Sequence, residues 1–127
     1  MNKELLACFD ELSQGEQDIL LALSAIYVPI GQTRFQQLLK AFACVPTEVA
    51  NIVAKPLREK LVDLGLIELT NLGWVCKYSI ADILLKKAAE RPAFLECLAR
   101  MVVSDASFIP YGYHFEYQIR MLRIYLY

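Results

Sequence analysis

The chain has 127 residues, is 57% hydrophobic and carries a net charge of −1. That length suits one domain with one core, and the charge lacks the basic excess from which DNA-binding domains draw most of their affinity. No uninterrupted apolar run of about 18 residues occurs, so no membrane span is expected. Met1-Asn2-Lys3-Glu4 leads into a stretch broken by Asp10 and Glu11, unlike a signal peptide, and a cytoplasmic location follows as the expectation.

The mean hydropathy of +0.37 calls for buried helices or an adhesive surface. Leu5, Leu6, Phe9 and Leu12 fall at helical spacing, predicting a first helix over Asn2 to Leu12. Ser13 followed three residues later by Glu16 is the capping-box signature. The helix it opens carries Ile19, Leu20, Leu23 and Ile26 as an apolar stripe, and Val28-Pro29-Ile30-Gly31 ends it. Thr33, with Gln36 at the third helical position, is the expected cap of the next helix, whose apolar face is Phe35, Leu38, Leu39 and Phe42. A turn over Ala43-Cys44-Val45-Pro46 follows.

Thr47 is expected to cap a third helix, with Val49, Ile52, Val53, Leu57, Leu61 and Leu64 as its buried stripe. Pro56 inside this span predicts a kink, or two shorter helices with Pro56 in the first turn of the second. Gly65 stops the helix, because glycine takes the left-handed conformation without steric cost. Leu66-Ile67-Glu68 begins a short run, Asn71-Leu72-Gly73 makes a tight turn, and a second run extends from Trp74 to Ile80. The two runs read as a small hairpin, and Trp74 is expected to pack over the helix end. A helix then starts near Ile80 and Ala81, Arg91-Pro92 interrupts it, and Phe94, Leu95, Leu98, Met101 and Val102 form a further amphipathic helix ending near Ser104.

The tail from Ser107 to Tyr127 differs in composition, holding five of the seven tyrosines. Phe108 to Tyr113 reads as a loop, and Phe115, Ile119, Leu122 and Leu126 fall at helical spacing beside Arg120 and Arg123. Tyr111, Tyr113, Tyr117, Tyr125 and Tyr127 suit an interface or a cover over the core, since tyrosine is favoured at interfaces. A helical pattern stopping among apolar residues suggests a piece of a longer protein, or a terminus that docks on a partner or a second copy.

The span from Leu12 to Ile80, with its Leu64-Gly65-Leu66-Ile67 helix end leading into a two-stranded hairpin, resembles the winged-helix family. The resemblance implies a mainly α fold with a small β-hairpin: a winged helix-turn-helix core over residues 1–80, then a C-terminal helical extension over 81–127 with the tyrosine-rich tail packed on it. It also implies that the third helix enters the major groove of duplex DNA while the wing tip touches the backbone. Carried onto this chain, Asn51, Lys55 and Arg58, spaced i, i+4 and i+7, form one stripe, and Thr47 stands at the helix start, where backbone donors and a hydroxyl meet phosphate. Arg34, Lys40 and Lys77 add phosphate contacts. Two departures weigh against this: the turn Thr70-Asn71-Leu72-Gly73 has no Lys or Arg, and Glu48 and Val62 stand in the proposed helix. Met1 to Leu64 holds six Lys/Arg against eight Asp/Glu.

Enzymatic chemistry is not expected. The sole histidine, His114, lies in the aromatic tail, the five glycines are scattered singly, and no nucleophile elbow occurs. Cys8, Cys44, Cys76 and Cys97 have long irregular spacings, so neither zinc nor a disulfide framework is expected, and all four read as buried small hydrophobes. No metal and no cofactor is implied.

The function expected from sequence is thus a non-catalytic duplex-DNA-binding module of a transcription regulator or DNA-processing protein. It would work within a larger chain or a dimer, where a linked second contact raises effective concentration. The alternative is an interaction or spacer domain at the N-terminus of a larger helicase or signalling ATPase, a role that fits the bare wing and near-neutral charge. A small-molecule-responsive regulator would need an apolar pocket between core and tail helices.

Overall fold

The computed structural model describes residues 2–105. The order is α1 (Asn2–Asp10), α2 (Gln14–Ile26), α3 (Gln32–Ala41), α4 (Thr47–Ala50), α5 (Lys55–Asp63), β1 (Ile67–Thr70), β2 (Gly73–Cys76), α6 (Tyr78–Ala89) and α7 (Pro92–Asp105). The fold is therefore mainly α with one small antiparallel hairpin, as expected. No helix among the described residues is long and apolar enough to cross a membrane.

α2 is the centre of the structure. Every residue from Asp18 to Ile26 is buried, so the helix is enclosed on all sides over this stretch. α4, β2, α6 and α7 pack on it. The start of α2 is fixed by the capping box: the Ser13 hydroxyl accepts from the Glu16 N–H at 3.2 Å, and the Glu16 carboxylate accepts from the Ser13 N–H at 3.0 Å. Gln17 ties α1 to it by donating to the Phe9 and Leu12 carbonyls at 3.0 and 3.3 Å, satisfying groups left over at the end of α1. The core is continuous, running from Phe9 in α1 to Val102 in α7.

Gly65 ends α5 as expected, at φ +76°. The Leu66 N–H donates to the Leu61 carbonyl at 3.0 Å and the Gly65 N–H to the Val62 carbonyl at 2.9 Å, the pair of bonds of a Schellman ending. Leu66 and Ile67 then return to the core. The hairpin pairs Ile67 with Cys76 and Leu69 with Trp74. Ile30 adds a third rung on the far side of β2, exchanging backbone bonds with Trp74 at 2.8 and 2.9 Å. Trp74 is buried, edge-on to the Phe35 ring at 6.2 Å.

Four local expectations need correction, and one pair of alternatives is decided. α3 begins one residue before Thr33: Gly31 in extended conformation is the cap, and no side chain caps the helix. Gln36 instead reaches across to donate to the Ala50 carbonyl at 3.1 Å. Pro46, not Thr47, is the cap of α4, its ring holding φ at −57°. Of the two outcomes expected at Pro56, the span from Thr47 to Leu64 takes the second: two helices, with Lys55 and Pro56 opening the second, where a missing N–H costs nothing. This break leaves Ile52 exposed rather than in a buried stripe. The second hairpin run ends at Cys76, and α6 starts at Tyr78 with Lys77 as its cap.

Candidate nucleic-acid interface

The stripe expected of Asn51, Lys55 and Arg58 is not on one helix. Asn51 is the C-terminal cap of α4, while Lys55 and Arg58 belong to the first turns of α5. Thr47 is exposed at the start of a helix of four residues, whose single turn has little dipole to offer an anion. The helix that leads into the hairpin is therefore α5, and Lys55, Arg58 and Lys60 are its cations.

These cations differ in environment. Lys55 is largely exposed and lies 3.9 Å from Glu59 one turn on, a contact too long and too wet to hold it. Arg58 is half-buried, and its Nε is enclosed without a hydrogen-bond partner among the described residues. Lys40 is exposed in the last turn of α3, and Arg34 is half-buried on the same helix. Lys77, at the base of the hairpin, stands 3.3 Å from the Glu68 carboxylate. The hairpin presents no basic residue at its turn; Leu69 and Leu72 are about half-exposed there. The turn is held locally: the Thr70 hydroxyl accepts from the Leu72 N–H at 3.0 Å and donates to the Gly73 carbonyl at 3.3 Å.

Sequence reasoning missed Lys60. Its ammonium donates to both carboxylate oxygens of Glu16 at 3.0 and 3.1 Å, joining α5 to the start of α2. Burial opposes ionisation of Glu16, yet the Ser13 N–H, Lys60 and the Ser13 hydroxyl outweigh it and hold the carboxyl below its ordinary value. Between these elements lies a groove of about 600 Å³, lined among others by Ser13, Asn51, Ile52, Pro56 and Lys60. Its walls are 44 residues apart in sequence, which no local pattern announces.

Among the described residues no group of three or more His, Cys, Asp or Glu side chains is placed to hold a metal ion. His114, Tyr111, Tyr113, Tyr117, Tyr125 and Tyr127 lie outside the described residues. Comparison with protein-family profiles, curated proteins and solved structures yields no match to this chain.

Proposed function

We propose that the chain is a non-catalytic winged-helix module that binds duplex DNA through α5, with Lys55, Arg58 and, from α3, Lys40 as phosphate contacts. The element order supports this reading: α2, the Ile30 bridge, α3, the one-turn α4, α5 and the hairpin follow one another as helix, bridge, helix, helical turn, helix and wing. The observation that carries it is the state of the α5 cations. The Lys55–Glu59 pair is exposed and worth little, so it yields readily to phosphate, while Arg58 is only half-buried one turn further on. Thr47 and Lys77 contribute less than their sequence positions imply, the first for want of a longer helix and the second through its pairing with Glu68. Few phosphates are met, so binding is weak and mostly non-specific, with a Kd on the order of 10–100 μM at physiological salt. Four free thiols fit the cytoplasmic setting of this proposal.

A second reading is favoured by the hairpin. Leu69 and Leu72 stand half-exposed where a DNA-reading wing needs a cation, which suits contact with another protein or with a further part of a longer chain.

Fluorescence anisotropy of labelled duplex DNA, titrated from low to physiological salt, separates the two. The DNA reading expects binding that falls with salt, with the slope reduced by about one unit in Arg58→Ala and in Lys55→Ala. Absence of binding at low salt removes that reading and leaves the hairpin as the surface to follow.

A further inference from the structure

Cys44 lies in the turn between α3 and α4, and Cys97 lies in α7. They are 53 positions apart in sequence, yet their Sγ atoms stand 3.0 Å apart. The Cys97 Sγ also donates to the Phe42 carbonyl at 2.9 Å. With that proton committed, Cys97 accepts from Cys44, and the two thiols and the carbonyl form one short chain of donors. Cys97 is buried while Cys44 is half-buried, so solvent reaches the pair from the Cys44 side. Burial pushes the Cys44 thiol up, the hydrogen bond to Cys97 adds to this, and the Arg100 charge works weakly the other way. The expectation that all four cysteines are buried small hydrophobes holds in burial for Cys76 and Cys97 but not for Cys8 and Cys44, which are half-buried, and Cys44 and Cys97 are paired in space.

We propose that Cys44 and Cys97 are a redox-modification site, a dithiol that a small-molecule disulfide oxidises to an intramolecular disulfide joining the α3–α4 turn to α7. Cys44, the accessible sulfur, loses its proton to solvent and attacks one sulfur of the oxidant. The oxidant's S–S bond breaks, one thiol leaves, and a mixed disulfide remains on Cys44. The Cys97 sulfur, already in contact, then gives up its proton and attacks the Cys44 Sγ, expelling the second thiol. Two protein thiols are oxidised and one small disulfide is reduced to two thiols, so electrons and protons balance. The raised Cys44 thiol makes the first step slow at neutral pH and faster as pH rises, which leaves the chain reduced until a sustained oxidising shift. Cys76 stands apart from this chemistry, buried with its thiol donating to the Lys77 carbonyl at 3.6 Å. The proposal does not depend on DNA binding.

The test uses the full chain equilibrated in glutathione buffers from fully reduced to fully oxidised, acid-quenched, alkylated and mapped by mass spectrometry. A peptide pair joining Cys44 to Cys97, lighter by the two thiol hydrogens, is expected to appear with a single midpoint and to vanish on reduction, while Cys8 and Cys76 stay alkylated. The oxidised chain is expected to melt on the order of 10 °C higher, because the link closes a long loop in the unfolded chain. Cys44→Ser and Cys97→Ser each abolish both the linked pair and the melting increment; Cys8→Ser abolishes neither. Alkylation of both Cys44 and Cys97 at the most oxidising ratio, or glutathione adducts without a Cys44–Cys97 link, overturns the proposal. Mapping of the unsubstituted chain decides this even if a serine variant does not fold.

Discussion

The Arg91 guanidinium donates to both oxygens of the Asp18 carboxylate, at 2.6 and 3.4 Å, across 73 positions of sequence. Asp18 is one of two buried polar or charged residues among those described, and Gln14 also donates to it at 2.8 Å. Arg91 lies over the Phe94 ring at 4.2 Å, so the same side chain fixes the α6–α7 corner to the flank of α2. Burying a carboxylate is costly unless such donors replace the water it loses.

Removing that carboxylate strands the donors. Asp18→Ala is expected to lower unfolding free energy by about 2 kcal/mol, in the range of hydrogen bonds to charged groups. Urea denaturation at neutral pH measures it; a midpoint unchanged from the parent chain contradicts the role given to Arg91.

Two glycines are expected to differ in cost. At Gly73, with φ +131°, an added Cβ would lie 2.1 Å from the Ile30 carbonyl oxygen, so the Ile30–Trp74 rung has to move. At Gly65, with φ +76°, the nearest atom to an added Cβ is a Leu5 methyl at 3.5 Å, and only the left-handed backbone is at issue. Gly65→Ala is therefore expected to cost about 1 kcal/mol, and Gly73→Ala at least twice as much. Thermal melts of the two variants check the order: Gly73→Ala is expected to melt below Gly65→Ala.

Glu16 gives a pH-dependent prediction. Its carboxyl lies below the ordinary value of 4.5 in the folded chain, so the folded state binds its proton less readily than the unfolded state. The stability it contributes is present in full above 4.5 and is lost as pH falls through the lower folded value. Glu16→Gln is thus expected to melt below the parent by a constant margin from about pH 6 to 8, with the margin closing below about pH 4. A margin independent of pH down to acid unfolding rules out the carboxylate charge as its source.

What could be read from sequence was what is decided locally. Ser13 and Glu16 lie within one helical turn, and Gly65 and Pro56 act through their own backbones, so these boundaries were visible. Thr33 and Thr47 misled for an equally local reason. Gly31 and Pro46 already supply the extended backbone of a cap one or two residues earlier, and the threonines fall inside the first turn. The site was less legible. Pro56 offered two outcomes, and the one adopted breaks the stripe of Asn51, Lys55 and Arg58. The contacts of Lys60 with Glu16, Arg91 with Asp18 and Cys44 with Cys97 join positions 44, 73 and 53 apart. Periodicity and capping report on neighbours along the chain and carry no record of such pairs.

The burial of α2 on all sides sets an order on synthesis. Its thirteen residues leave the ribosome early, but the helices that enclose it, α6 and α7, begin only at Tyr78 and Pro92. For that interval the nascent chain displays Ile19, Leu20, Leu23 and Ile26 without their final neighbours, the condition in which incomplete chains aggregate. A messenger truncated before α7 yields a polypeptide with an uncovered hydrophobic axis, and such products belong to holdase chaperones and proteases rather than to the soluble pool.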